Sequence, residues 1–133
     1  MKTLRAVFAL HGLITLAGAV VLTVFPKAIP SMVGITITRP DYLLVYLVAA
    51  AELAVAVLSF GAIRITDWAA LRLIVTTLVV LHSASGVLDI VYMALTEPNA
   101  TMISNTVLRF VVVAVFLAVW WAARRHQTPG TSR

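Results

Sequence analysis

Four stretches of apolar sequence, at 6–25, 42–63, 68–95 and 103–123, take up most of this 133-residue chain. A helix rises about 1.5 Å per residue and the hydrocarbon core of a bilayer is about 30 Å thick, so about 20 apolar residues suffice to cross it. Four crossings leave only short connections and no room for a soluble domain. The chain is 62% hydrophobic and 11% charged, whereas soluble domains are roughly half apolar and about a quarter charged. The expected fold is therefore all-α: an integral membrane, antiparallel four-helix transmembrane bundle forming a single domain over 1–125. A polar tail at 126–133 is expected to be cytoplasmic and disordered.

The connections set the topology. Pro26 and Pro30 end the first span, since proline cannot continue a helix interior. A secretory signal cleaved at Ala17-Gly18-Ala19 is the lesser reading, because the apolar run continues past that site and contains His11. Residues 26–41 (PKAIPSMVGITITRPD) are too apolar for a solvated loop. They are expected to lie on the membrane surface or to fold back over the mouth of the bundle. Thr66 or Asp67 can cap the third helix, and Glu97-Pro98-Asn99 separates the third from the fourth. Basic residues fall seven to two in favour of one side: Lys2, Arg5, Arg64, Arg72, Arg124, Arg125 and Arg133 against Lys27 and Arg39. By the positive-inside rule both termini are cytoplasmic, N-in/C-in, as in a multi-pass protein of a bacterial inner or plasma membrane. The net charge of +5 sits at span ends rather than in one patch, which excludes a nucleic-acid partner. The absence of cysteine excludes disulfides and thiolate metal sites. Asn99-Ala100-Thr101 matches a glycosylation sequon, a chance match in so short a loop.

Ionisable residues inside the spans carry the chemistry. His82, Ser85, Gly86 and Asp89 stand at i, i+3, i+4 and i+7 and share one helical face. A charged side chain at mid-membrane costs about 2.5–3.5 kcal/mol on insertion scales, so it faces the bundle interior and finds a partner. Arg109 falls at the depth of Asp89, which predicts an ion pair between them. Glu52 and His82 lie near the midpoints of their spans, where they can meet, and Tyr46 and Tyr92 are placed to donate to the cluster. His11, Thr15 and Gly18 share a face of the first helix. Counted from the cytoplasmic end, His11 falls two to three turns away from His82, which argues against a haem held between them. Ala49, Ala50, Ala51, Ala54 and Ala56 make the second span smooth enough for close packing, within the chain or between subunits. Each polar group also has a purely structural reading, as a register lock or a satisfied core residue.

No phosphate-binding loop, HExxH, nucleophile elbow or calcium loop is present. The run Ala50-Ala51-Glu52-Leu53 followed by Gly61, Arg64, Ala69 and Ala70 resembles the DoxX-like group of small four-helix membrane proteins. Phe25-Pro26, with the apolar stretch after it, is also similar to that group. The resemblance covers about half the chain and departs at His82 and Asp89. It implies Glu52 and Arg64 as the carried-over positions and a quinone or redox complex as a partner. From the residues themselves, the leading reading is binding of a hydrophobic molecule with a polar head, a quinone or isoprenoid lipid, by an accessory subunit or homodimer. Glu52, His82, Ser85, Asp89, Arg109 and Tyr46 are then the ligand-binding set. Two other readings stay open: proton-coupled transport by a dimer, and an isomerase or cyclase with Glu52, His82 and Asp89 as candidate acid and base. Neither the cofactor nor the question of enzyme activity is decided at this level.

Overall fold

The apolar segments fold into four long helices, α1 (Lys2–Val24), α3 (Tyr42–Ala62), α4 (Trp68–Leu95) and α5 (Ala100–Arg125), with a short α2 (Ala28–Met32) after the first. This is a computed structural model, which describes residues 1–125; the tail expected to be disordered, 126–133, lies outside the described residues. All four long helices are long and apolar enough to span a membrane. Only 17–33% of each span is buried within the chain, and exposed leucine, valine and isoleucine side chains cover the rest. A surface of that kind belongs against lipid.

Local chemistry explains the helix ends. Asp67 is the N-cap of α4, its Oδ2 accepting from the Ala70 N–H at 2.7 Å. Asn99 Oδ1 accepts from the Met102 N–H at 2.8 Å, so α5 begins at Ala100, three residues before the apolar run. Residues 26–41 fold back as α2, a turn at Gly34 (φ 81°) and a 3₁₀ turn at Arg39–Asp41. In that turn the Asp41 carboxylate accepts from the Thr38 N–H at 2.7 Å and from the Thr38 hydroxyl at 2.8 Å.

The helices associate as two close pairs. α1 packs along α3 and α4 along α5, with fewer contacts between α1 and α5 and between α3 and α4. Lipid tails are as apolar as leucine, so such packing rests on shape rather than on burial from water. Each pair supplies a notch for a ring. A Cβ on Gly12 would lie 2.9 Å from the Phe60 ring, and one on Gly86 2.9 Å from the Phe110 ring. The alanine-smooth face of α3 serves the same purpose only in part: Ala49 and Ala56 are buried, whereas Ala50, Ala51 and Ala54 are exposed. The pairs join at one end in a dry cluster of Leu4, Phe8, Ala62, Leu71, Leu78 and Phe116. The Phe8 and Phe116 ring centroids are 5.6 Å apart.

The notches predict that Gly12→Leu loses about 1–3 kcal/mol of stability through overpacking, and that adding Phe60→Ala recovers part of the loss. Gly61, with nothing within 4 Å of its would-be Cβ, tolerates the same change. Thermal unfolding in detergent, read by circular dichroism, checks all three variants.

Candidate functional site

Above the dry cluster the two pairs part around a half-open cavity of about 630 Å³, within the usual range of small-molecule sites. Its walls come from one face each of α1, α3 and α5, and its roof from Ile29, Met32, Val33, Ile35 and Ile37. Of the two placements expected for residues 26–41, on the membrane surface or folded back over the bundle mouth, these side chains match the second. Asn99 ties the roof to the α4–α5 connection by donating from Nδ2 to the Met32 carbonyl at 3.3 Å.

The polar floor is built from all four long helices. His11 and Thr15 come from α1, Glu52 from α3, His82 from α4, and Asn105 and Arg109 from α5. His11 Nε2 and His82 Nε2 lie 2.8 Å apart, and His11 Nδ1 lies 2.9 Å from Ser59 Oγ. One imidazole Nε2 therefore donates and the other accepts. Two doubly protonated rings would set N–H against N–H, so the pair cannot be doubly cationic. If the Ser59 hydroxyl donates to His11 Nδ1, His11 Nε2–H donates to His82, and His82 Nδ1 carries a proton; with the opposite tautomers it is an acceptor. In both states His82 Nδ1 is buried without a protein partner, and an unpaired buried polar atom costs about 1–3 kcal/mol.

This meeting corrects the depth assigned to His11. α1 begins at Lys2 rather than at the first apolar residue, and the 28-residue α4 extends beyond α1 at that end, so that Leu4 packs in one cluster with Leu71 and Ile74. Helix stagger, which span lengths do not record, brings the two histidines level. The haem argument changes with it. Two imidazoles on opposite sides of one metal hold their nitrogens about 4 Å apart, twice a metal–imidazole bond, and 2.8 Å is too short for that arrangement. Among the described residues no group of three or more His, Cys, Asp or Glu side chains could hold a metal ion.

Asp89 and Arg109 form the expected ion pair, Arg109 Nε donating to Asp89 Oδ2 at 2.8 Å. The Thr106 hydroxyl reaches the same oxygen at 3.5 Å. Arg109 lines the cavity while Asp89 does not, so the carboxylate holds the guanidinium from behind. Arg109 shares the cavity lining with Glu52 and His82. Glu52 shares the floor with His82, and among the described residues no hydrogen bond joins the two.

Three expected members are elsewhere. Tyr46 is exposed, its ring 6.1 Å from that of Tyr42. Tyr92 is exposed on the bundle surface. Ser85 is half-buried but off the cavity wall. The periodicity of α4 gave a common face, but that face is split between two neighbours: His82 meets α1, whereas Gly86 and Asp89 meet α5. Ser59, Asn105 and Thr106 were not anticipated. Their signal was present, because Ser59 follows Glu52 at i+7, and Asn105 and Thr106 precede Arg109 by four and three residues.

Comparison with known protein families, curated proteins and solved structures finds no match to this chain.

Arg109→Ala leaves a carboxylate without its cation, and a loss of about 2–4 kcal/mol is expected for breaking a largely desolvated pair. Asp89→Asn/Arg109→Gln removes both charges and loses less than either single change. A double-mutant cycle on thermal unfolding in detergent measures the difference.

Proposed function

We propose that this chain is a small integral membrane protein that binds a hydrophobic molecule with a polar head, a quinone or isoprenoid lipid, in the cavity beneath residues 26–41. The observation that carries the reading is the composition of the 630 Å³ cavity: apolar walls and roof over a floor of His11, His82, Glu52 and Arg109. Apolar walls with a few convergent polar groups are the usual make-up of a small-molecule site. Glu52 and His82 meet the head group, and Asp89 acts at one remove by holding Arg109. The helices are antiparallel with both termini cytoplasmic, which puts the cavity mouth on the far side of the membrane. The DoxX-like resemblance, with Glu52 and Arg64 as its carried-over positions, points to a quinone-linked partner and to an accessory role within a larger complex. Arg64 is exposed at the opposite end of α3 from the cavity roof, so it serves topology rather than the ligand.

Proton-coupled transport by a dimer is the second reading, favoured by the contact of His11, His82 and Ser59. Against a route through one chain stands the dry cluster below the floor, where Leu4, Phe8, Leu78 and Phe116 are each at most 1% exposed. An isomerase or cyclase would have to work with Glu52 and His82, because Asp89 is committed to Arg109.

Native mass spectrometry with lipid extraction of protein purified in mild detergent tests the proposal. A stoichiometric quinone or isoprenoid lipid is expected in the wild type, at least tenfold depleted in Glu52→Gln and in His82→Ala, as expected when one buried polar contact worth about 1.4 kcal/mol or more is lost. Retention of the ligand by both variants would remove this reading. A ligand-free dimer whose substrate uptake into proteoliposomes requires a pH gradient and Glu52 would replace it with transport.

A further inference from the structure

A second concavity lies at the opposite end of the bundle, between the first turn of α4 and the last turns of α5. It has a volume of about 440 Å³ and is lined by Trp68, Ala69, Arg72, Trp120 and Arg124. The two indole rings pack against each other with centroids 5.2 Å apart and form its apolar wall. Arg72 stands one turn after Trp68 and Arg124 one turn after Trp120, so both guanidinium groups enter the same groove beside the rings.

Among the described residues no acidic side chain lines this groove. The nearest in sequence, Asp67, already accepts the Ala70 N–H. Among the described residues the one salt bridge is that of Arg109 and Asp89, so Arg72 and Arg124 bring two charges into one concavity with no carboxylate opposite. Arg125 lies nearby, stacked 3.4 Å above the Trp121 ring, and Arg64 lies in the turn after α3 at the same end. The groove opens where two membrane-length helices end, and span ends are where indoles settle between hydrocarbon and water. Guanidinium is the side chain whose fork of donors matches phosphate oxygens.

We infer that Trp68, Arg72, Trp120 and Arg124 form a binding site for the phosphate of an anionic membrane phospholipid, the arginines holding the phosphate and the paired indoles packing on the glycerol and upper acyl chain. The site is independent of the cavity at the other end. Its occupant is a component of the bilayer, and its role is to fix the end of the α4–α5 pair in one leaflet. Each basic residue near an anionic surface contributes enough for a several-fold preference, so two together predict roughly ten- to thirtyfold selectivity for an anionic over a zwitterionic headgroup.

Tryptophan fluorescence tests this directly. In Trp121→Phe protein only Trp68 and Trp120 emit, since the chain has three tryptophans. Reconstituted protein is titrated with phosphatidylglycerol or phosphatidylcholine carrying brominated acyl chains, which quench an indole they touch. Phosphatidylglycerol is expected to quench saturably at roughly ten- to thirtyfold lower mole fraction. Arg72→Gln/Arg124→Gln is expected to bring the two curves together, whereas Glu52→Gln leaves them apart. Equal quenching by both lipids in the Trp121→Phe protein overturns the site, whatever the folding of the double variant. So does a preference that survives in a double variant of unchanged helicity. Loss of the preference on adding millimolar inorganic phosphate would reassign the groove to a free anion.

Discussion

Asp89 and Arg109 meet at 2.8 Å on neighbouring helices, within two segments long and apolar enough to span a membrane. Each charge alone would oppose insertion; together they neutralise one another and share a strong hydrogen bond. The pair fixes α4 against α5 in rotation and in register, because a shift of one residue on either helix would swing a charge toward lipid. The Gly86 notch, one turn from Asp89, then receives Phe110, the neighbour of Arg109. Electrostatics and packing thus specify the same register of this helix pair, an agreement between levels that marks a well-determined arrangement.

The α1–α3 pair is determined differently. Among the described residues it has no ion pair, and its register rests on the Gly12–Phe60 notch, the buried Ala49 and Ala56, and the contact of His11 with the fully buried Ser59. Two side-chain hydrogen bonds among the described residues cross from one pair to the other: His11 with His82, and Asn99 with the Met32 carbonyl. The cavity opens along the seam between them. This placement follows from composition. The seam is closed with large rings at the end where Phe8 and Phe116 meet, and toward the roof it is lined by smaller or polar residues such as Thr15, Gly18 and Asn105.

How much of this could be read in advance depended on how strongly physics restricts the alternatives. The spans were legible because a backbone in lipid must satisfy its own hydrogen bonds, which leaves helices as the only reading of such apolar runs. The Asp89–Arg109 pair was legible for a similar reason: a costly charge has few places to go. His11 was not. Its level relative to His82 depends on stagger between helices, and an apolar helix can slide against its neighbour without changing its sequence pattern. Tyr46 and Ser85 lie off the cavity lining for a related reason. Periodicity assigns residues to a face, but in a bilayer both the lipid side and the protein side accept apolar neighbours, so the face alone does not name what it touches. Tyr46 rests against Tyr42 at the bundle surface, which satisfies its ring equally well.

The two ends of the bundle therefore differ in kind. At the end of Leu4, Leu71 and Phe116 the helices are sealed by apolar contacts, and the polar chemistry there is confined to the periphery, in the tryptophans and arginines of the span ends. Toward the other end the same helices stand apart over an ionisable floor, covered by a segment held through α2, the Gly34 turn and Asn99. His82 and Glu52 are reached from the roof side or between the helices, because the opposite end is packed shut. A molecule that partitions into the bilayer meets this geometry without leaving hydrocarbon, whereas a water-soluble one would have to cross the apolar underside of residues 29–37. The cavity therefore changes character along its depth, from the apolar side chains of residues 29–37 and the upper walls to the ionisable groups of the floor.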